Sequence, residues 1–304
     1  MAGTRAGGVF HFGRATLHHA DCLEWLRARA PHSIHAVVTD PPYGLLEYSA
    51  LQQRKLRARR GGVWRIPPSF DGARRAPLPR FTVLTARDHS LLERYFFEWG
   101  RALLPVLVPG AHVAVASQAL LSHIVSVALS RAGLERRAEL ARRVVTLRGG
   151  DRPKGAHREF REVSVMPRAM WEPWLLYRKP LDGRVQDTLR RWGTGGLRRP
   201  QAGRPFADLI DSAPASAAER RAAPHPSLKP QSFLRPLVRA VLPLGEGVVL
   251  DPFAGAGSTL AAAEAVGYAS IGVERDRRYF SLACRAIGAL AAWPCRTGST
   301  GPGV

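Results

Sequence analysis

The hydrophobic positions of the chain form short apolar runs that alternate with longer stretches of helical periodicity. The apolar runs end in turn residues, as strands of a buried parallel sheet do. These predicted strands are 34–39, 111–116, 144–147, 247–250 and 270–273. The stretches in which apolar residues recur every three or four positions are 89–104, 120–132, 233–241, 258–266 and 276–290. Strands that alternate with helices predict an α/β fold with a mostly parallel central sheet.

Two internal segments break this alternation. Residues 51–80 are crowded with arginine, and residues 148–224 are rich in Arg, Pro, Gly and Trp with little periodicity. We expect irregular basic insertions at one edge of the core, and loops of that length are usually either functional or disordered. Residues 1–15 and 294–304 are predicted to be flexible tails.

The charge of the chain points to a polyanionic partner. The 304 residues carry 45 Lys+Arg against 24 Asp+Glu, a formal net charge of +21. A compositional bias toward arginine explains the choice of Arg over Lys, but it does not explain the excess of positive charge. Nucleic acid is the simplest partner for such a chain. No run of 18 apolar residues and no signal-like segment is present, so we expect no membrane partner and a cytoplasmic location.

The cysteines and histidines do not have the spacing of metal ligands. The three cysteines, Cys22, Cys284 and Cys295, form no C-x-x-C pair. The sequence therefore predicts neither a disulfide framework nor a cysteine-rich zinc site, and we expect no metal.

A glycine-rich turn follows the fourth predicted strand and leads into a helix, with Ser258 or Thr259 as the expected helix cap. Gly255 and Gly257 would let the backbone approach a ligand closely. Glu274 follows 17 residues after Gly257, at the end of the next strand, where a carboxylate can accept hydrogen bonds from a ribose. The third glycine of the dinucleotide fingerprint is missing, which counts against NAD. The pattern favours a nucleoside-type cofactor.

The first predicted strand ends in Asp40-Pro41-Pro42-Tyr43. The two prolines fix φ and stiffen the turn, so its groups are held in one arrangement. The Asp40 carboxylate and the Pro41 carbonyl could accept hydrogen bonds from the two N–H groups of an exocyclic amine, while Tyr43 stacks on the attached ring. From the tetrapeptide alone, a rigid turn with an Asx cap is an equally good interpretation.

Three motifs together resemble the amino-group DNA methyltransferases, which methylate N6 of adenine or N4 of cytosine. They are Asp-Pro-Pro-Tyr at 40–43, His-Pro-x-x-Lys-Pro at 225–230 and Asp-Pro-Phe-x-Gly-x-Gly-Ser-Thr at 251–259. The catalytic motif precedes the cofactor motif, as in the beta arrangement of that family, and the resemblance covers most of 16–290. It implies a Rossmann-like methyltransferase fold with a circularly permuted motif order.

The resemblance also implies roles for individual residues. Asp40, Pro41, Pro42 and Tyr43 would form the motif that acts on the target base. The implied residues around S-adenosylmethionine are Asp21, His225, Lys229, Pro230, Asp251, Phe253, Gly255, Gly257, Ser258 and Glu274. Asp21 would meet the adenine of the cofactor, although a helix cap is an alternative for this residue. The family's common Gly-Ser-Gly is Gly-Ala-Gly here, and we expect cofactor binding to survive that change.

The resemblance divides the chain into three parts. Residues 16–147 would be the catalytic half, 148–224 a target-recognition region, and 225–293 the cofactor-binding half. Arginine contacts phosphates and reads guanine, so we expect DNA contacts from both insertions. The candidate residues are Arg57, Arg59, Arg60, Arg190 and Arg191.

The expected function is site-specific methylation of adenine N6 in double-stranded DNA, with S-adenosylmethionine as methyl donor. The base would be flipped out of the duplex and stacked on Tyr43. The alternatives are an N4-cytosine enzyme, an RNA substrate and a catalytically silent DNA-binding subunit on the same fold. The protein sequence does not specify which DNA sequence is recognised. It also leaves open whether the chain forms a homodimer and whether it works with a cognate restriction enzyme.

Overall fold

The computed structural model describes residues 4–6, 8–42, 85–144, 156, 158–165, 167 and 169–295. Within these residues ten strands form one sheet. The strands are β1 (Thr4–Ala6), β2 (Val9–Phe12), β3 (Ala15–His19), β4 (Ile34–Thr39), β5 (Leu107–Ala116), β6 (Glu135–Arg143), β7 (Trp171–Arg178), β8 (Leu209–Asp211), β9 (Val248–Asp251) and β10 (Ala269–Glu274).

The helices of the same described residues connect and cover these strands. They are α1 (Cys22–Arg27), α2 (Ala86–Val106), α3 (Ser122–Arg131), α4 (Val185–Trp192), α5 (Ala217–Ala222), α6 (Gln231–Val241), α7 (Ser258–Ala265) and α8 (Arg277–Ala291). Across the described ranges, no helix combines the length and the apolar character needed to cross a membrane.

The order of strands in the sheet is β1-β2-β3-β10-β9-β4-β5-β7-β6-β8. The central strands β3, β10, β9, β4 and β5 are parallel to one another. Strand β7 runs antiparallel to both β5 and β6, and β2 runs antiparallel to β3. The carboxyl ends of the five central strands therefore lie together at one edge, called the carboxyl edge below, where open α/β sheets bind their ligands. The opposite edge is called the amino edge.

Helices cover both faces of the sheet, so the central strands are buried on both sides. Successive side chains of β4 show this, because Val37 packs in one hydrophobic cluster with Phe96 of α2, and Val38 packs in another with Phe233 of α6. The predicted α/β fold with a mostly parallel centre is confirmed.

Most of the predicted elements are present. The predicted strands at 34–39, 111–116, 247–250 and 270–273 correspond to β4, β5, β9 and β10, and the five helical stretches correspond to α2, α3, α6, α7 and α8. The strand predicted at 144–147 is wrong at its start, because β6 ends at Arg143. Residues 145–147 lie outside the described residues.

The prediction of a loose tail over 1–15 is wrong for β1 and β2. Phe12 pairs with Ala15, so β2 and β3 form a hairpin with the two-residue loop Gly13-Arg14. Gly13 has a φ of 54°. A glycine in a two-residue loop is a hairpin signal, and the flanking strands are too short to show a clear alternation. Residues 296–304 of the other predicted tail lie outside the described residues.

The prediction of irregular structure over 148–224 is wrong for the part from β7 to α5. Strand β7 pairs on one side with β5 and on the other with β6. Its last six residues are all buried, so the sequence lacks the alternation of polar and apolar residues that marks a half-exposed strand. The basic insertion 51–80 lies outside the described residues.

Candidate functional site

Four carboxylates lie in a row along the carboxyl edge. Asp21 follows β3, Glu274 ends β10, Asp251 ends β9, and Asp40 follows β4. These four strands are neighbours in the sheet and all parallel. Neighbouring strands are about 4.8 Å apart, so the sheet gathers acids that are far apart in sequence.

Asp40 is held at the point where β4 leaves the sheet. Thr39 is fully buried, Pro41 is buried, and Pro42 is exposed. The Asp40 side chain keeps only 16% of its surface exposed, and its Oδ2 lies 2.5 Å from Nζ of Lys229. Tyr43, the predicted stacking residue, lies outside the described residues.

Lys229 lies between two carboxylates. Its Nζ donates to Asp40 and also lies 2.9 Å from Oε1 of Glu172, at the start of β7. Burial favours the neutral amine, but the Asp40 and Glu172 carboxylates outweigh this effect and raise the pKa of Lys229 above its ordinary value. The ammonium form of Lys229 is therefore the one that the site holds.

Asp251 ties the strand of Asp40 to the neighbouring strand. Its Oδ1 accepts a 2.6 Å hydrogen bond from Oγ1 of Thr39 and a 3.1 Å bond from the backbone N–H of Phe253. Burial raises the pKa of Asp251 to about 6. The carboxyl group thus fixes the end of β4 and the first residues of the glycine-rich turn.

Both glycines of the turn have left-handed backbone conformations, with φ of 52° at Gly255 and 78° at Gly257. A Cβ on Gly257 would lie 2.5 Å from Cγ1 of Ile287 in α8, so close helix packing also requires this glycine. Gly257 itself is the N-cap of α7, with no side-chain cap bond. The prediction of a cap by Ser258 or Thr259 is therefore wrong, because α7 begins at Ser258 directly after a left-handed residue.

Glu274 closes the turn from the neighbouring strand. Its Oε2 accepts a 2.8 Å bond from the Gly255 N–H, and its Oε1 accepts a 2.7 Å bond from the Asp276 N–H. A carboxylate oxygen can accept more than one hydrogen bond, so both oxygens keep acceptor capacity. Burial raises the pKa of Glu274, against the opposing effect of these two bonds.

His225 lies over the glycine-rich turn. A Cβ on Gly255 would come within 3.1 Å of its Nε2. The ring packs against Tyr279 with centroids 4.4 Å apart, and its Nδ1 is 3.2 Å from the backbone N–H of Ser227. Burial lowers the pKa of His225, which favours the neutral ring at pH 7.

The remaining residues of the predicted cofactor set lie at the same edge. Asp21 is the N-cap of α1 and accepts a 2.9 Å bond from the Leu23 N–H, which confirms the alternative of a helix cap. The Phe253 ring packs against Trp99 of α2, with centroids 5.8 Å apart. Pro230 is buried and is the N-cap of α6.

The candidate DNA-contacting arginines are not brought to this edge. Arg190 and Arg191 are exposed at the end of α4, where Arg191 pairs with Asp182 at 2.8 Å. The next residue, Trp192, packs edge-on against His32, just before β4 begins. This places the pair at the amino edge and argues against a role in reading bases beside Asp40. Arg57, Arg59 and Arg60 lie outside the described residues.

Three residues of the site were missed in the sequence. Thr39 bonds to Asp251, Glu172 bonds to Lys229, and Arg142 lies 2.6 Å from Glu172. Neither Glu172 nor Arg142 stands in one of the three motifs, and only the register of β6 against β7 places the two side by side.

Sequence comparison identifies relatives of the chain. A family model for N6/N4 methyltransferases, described as DNA methylase, matches residues 151–285. The type II methyltransferase M.HindIII of Haemophilus influenzae is 22% identical over 90% of this chain and 94% of its own length. The type II methyltransferase M.ScaI of Streptomyces caespitosus is 34% identical over 29% of this chain and 27% of its own.

Solved structures share the fold. The protein TTHA0409 of Thermus thermophilus superposes with a TM-score of 0.57, at 22% identity and over 91% of this chain and 95% of the other. The M1.HpyAVI–SAM complex gives a TM-score of 0.55, at 16% identity and over 88% of this chain and 97% of the other. The α/β architecture of this chain is therefore the Rossmann-like fold of these methyltransferase structures.

Proposed function

We propose that the chain is an amino-group DNA methyltransferase, as the family model and the relatives indicate, and that it methylates N6 of adenine in double-stranded DNA with S-adenosylmethionine as donor. The observation that carries the proposal is the position of Asp40. Its largely buried carboxylate and the Pro41 carbonyl directly follow β4, beside the β9 strand that leads into the glycine-rich turn. An acceptor pair for an amine therefore adjoins a cradle for a nucleoside.

The residues around the turn fit S-adenosylmethionine. The left-handed Gly255 leaves room below His225 that a side chain would fill. The Glu274 carboxylate keeps acceptor capacity for ribose hydroxyls, and Asp21, which follows the neighbouring strand β3, would meet the adenine. Asp251, Phe253, Gly257 and Ser258 would enclose the methionine part, with His225, Lys229 and Pro230 toward its amino-acid end. A solved relative of the fold, M1.HpyAVI, is a complex with this cofactor.

The chain's own contribution to the reaction is to prepare the amine. When bound, S-adenosylmethionine supplies a methyl group that its sulfonium already activates. The amine of adenine is a poor nucleophile because its lone pair is delocalised into the ring. By accepting hydrogen bonds from its two N–H groups, Asp40 and the Pro41 carbonyl would favour a pyramidal nitrogen with a directed lone pair. Pro42 keeps the two acceptors rigid, and Tyr43 would stack on the flipped base.

The charge of the chain supports a nucleic-acid substrate, because a net charge of +21 favours binding to phosphates. DNA is proposed over RNA because the matching family model is described as DNA methylase. Adenine is proposed over cytosine because the cytosine branch more often has Ser in place of Asp40. The assignment of 16–147, 148–224 and 225–293 as catalytic, target-recognition and cofactor parts, in the beta order, belongs to the same proposal.

The test is to express the chain in a host that lacks methylation and to sequence the host DNA with detection of modified bases. The proposal requires N6-methyladenine within one recurring sequence, and its absence when Asp40→Ala is expressed at the same level. N4-methylcytosine in place of N6-methyladenine would show the cytosine alternative. Unmodified DNA from a well-expressed chain that binds S-adenosylmethionine would refute the proposal for DNA, and methylated host RNA would then identify the substrate.

A further inference from the structure

A buried chain of alternating charges ends at Asp40. It runs from Arg142 through Glu172 and Lys229 to Asp40, with N–O distances of 2.6, 2.9 and 2.5 Å. The four side chains expose 6, 18, 11 and 16% of their surface, in that order. They come from β6, from β7, from the segment before α6 and from the end of β4, so the fold alone brings them together.

Glu172 is fixed from both sides. Its Oε2 accepts from Arg142, and its Oε1 accepts from Lys229. Arg142 is fixed in turn, because its guanidinium donates to Oγ of Ser212 and to the Ala213 carbonyl, each at 3.0 Å. Burial would raise the pKa of Glu172, but Lys229 and Arg142 outweigh it and lower the pKa, so Glu172 is ionised.

Lys229 is the residue of this charge network whose position depends most on having two partners. A lysine has a flexible four-carbon stem and a compact ammonium group, so one carboxylate partner leaves several positions open to it. The Glu172 carboxylate, on the side of Lys229 opposite Asp40, restricts the ammonium group to a position within reach of both carboxylates. Because buried ion pairs contribute little net stability, the arrangement is better explained by the position that it imposes than by stabilisation of the fold.

We propose that Glu172 is a positioning residue for methyl transfer, which holds Lys229 against Oδ2 of Asp40 and so fixes the orientation of the Asp40 carboxylate toward the amine. This role rests on the proposed function, because Asp40 has to act on the amine for its orientation to matter.

The test is the variant Glu172→Gln, which keeps the size of the side chain and removes its charge. Misplacement of a group that acts in the transition state lowers kcat, whereas loss of uniform binding raises KM. We expect kcat to fall by about tenfold or more, the loss of one charge-assisted hydrogen bond. The KM for duplex DNA and the Kd for S-adenosylmethionine should stay within about threefold of wild type.

The matched control is Glu135→Gln. Glu135 pairs with Arg178 at 2.6 Å across the same two strands, but at the amino edge. Its removal also breaks a Glu–Arg pair of the β6–β7 hairpin, so it reports a purely structural effect. We expect its kcat to stay within twofold of wild type. An equal loss of kcat in both variants would overturn the proposal.

A double-mutant cycle tests whether Glu172 acts through Lys229. In a Lys229→Met background, Glu172→Gln should cause no further loss of kcat. A full additional loss in that background would overturn the proposal.

If Glu172→Gln does not fold, the conservative variant Glu172→Asp tests the proposal instead. It keeps the charge but shortens the side chain by one methylene, so the aspartate cannot span Arg142 and Lys229 equally well. The proposal requires a kcat more than twofold below wild type but above that of Lys229→Met, and a kcat within twofold of wild type would overturn it. Wild-type activity is the reference throughout, so an inactive wild type would refute the proposed function rather than the role of Glu172.

Discussion

At the scale of single residues, Glu274 joins the glycine-rich turn to the start of α8 and is the residue best placed for ribose hydroxyls. Replacing it by glutamine removes the charge but keeps the size. A hydrogen bond to a charged group contributes about 1.5–3 kcal/mol. We therefore expect Glu274→Gln to raise the Kd for S-adenosylmethionine by about 10- to 100-fold, measured by calorimetric titration, with the modified DNA sequence unchanged.

The matched control for this variant is Glu264→Gln. Glu264 also accepts a hydrogen bond from a backbone N–H, that of Arg14 at 2.7 Å, but it lies near the end of α7, away from the carboxyl edge. Its replacement should leave the Kd for S-adenosylmethionine within twofold of wild type. An unchanged Kd in Glu274→Gln itself would remove Glu274 from the cofactor site.

Asp251 makes the stability of the protein depend on pH. Its pKa is about 6 in the folded chain, because the group is buried, against about 3.9 in an unfolded one. Between these values the folded state holds a proton that the unfolded state has released, so stability falls as the pH rises from about 4 to about 6. Asp251→Asn removes this titration, and its Oδ1 can still accept from Thr39.

The free energy of unfolding of Asp251→Asn, taken relative to wild type, should therefore rise by about 2 kcal/mol between pH 4 and pH 7. Urea denaturation of both proteins across that range gives the difference directly. A difference that does not change with pH would mean that the pKa of Asp251 is not raised by burial.

How much of the site the sequence predicts depends on whether its residues share a motif. Asp40, the glycines of the turn and Glu274 follow strand ends in recognisable local patterns, so their meeting at one edge could be predicted. Glu172 and Arg142 meet only through the register of two antiparallel strands. No local pattern specifies that register, because it depends on which faces of the strands are buried.

At the scale of elements, the turn before α7 is shaped as much by α8 as by a ligand. Gly257→Ala would place a methyl group 2.5 Å from Cγ1 of Ile287, on a residue with φ of 78°. Left-handed backbone costs about 1–2 kcal/mol for a residue with a Cβ, and overpacking adds about 1–3 kcal/mol. We expect a loss of about 2–4 kcal/mol in the free energy of unfolding, measured by urea denaturation.

Gly196→Ala is the control for that substitution. A Cβ at Gly196 would have no heavy atom within 4 Å, so the unfolding free energy should change by less than about 0.5 kcal/mol. Equal effects of the two substitutions would mean that α7 and α8 are not packed through Gly257.

The elements that the sequence predicts well are the central parallel strands and their long helices, which carry strong apolar patterns. The elements that the sequence does not predict are missed for identifiable physical reasons. Strand β7 is buried along most of its length and shows no alternation, whereas β2 and β3 are too short for a pattern to emerge. Their places become clear only once the sheet gives them partners.

At the scale of the whole molecule, the candidate DNA-contacting arginines fall into two groups with different expected roles. The pair Arg190 and Arg191 lies at the amino edge, away from Asp40. Arg57, Arg59 and Arg60 come after β4 and Asp40 in the sequence and remain the proposed phosphate contacts. Each phosphate contact contributes about 0.9 to the slope of log K against log salt on duplex DNA.

We therefore expect alanine at Arg57, Arg59 and Arg60 together to flatten that slope by about 0.9 for every phosphate that loses its arginine. Alanine at Arg190 and Arg191 together should leave both the slope and the preference for cognate DNA unchanged. Binding isotherms over a salt series, on cognate and scrambled duplexes, measure both variants. An unchanged slope in the triple variant would mean that those arginines are solvated and contact no phosphate. A relaxed preference for cognate DNA in the double variant would show that α4 reads bases.

The proposed mechanism depends on Asp40 as the acceptor that prepares the amine, and single-turnover methylation of duplex DNA by Asp40→Ala tests it most directly. Loss of one preorganised electrostatic contact to a transition state costs about 10²–10³ in rate. We expect a fall of at least about a hundredfold, while the Kd for S-adenosylmethionine and the Kd for DNA stay within about threefold of wild type. A variant that binds both and transfers the methyl group at a rate near that of wild type would contradict the mechanism.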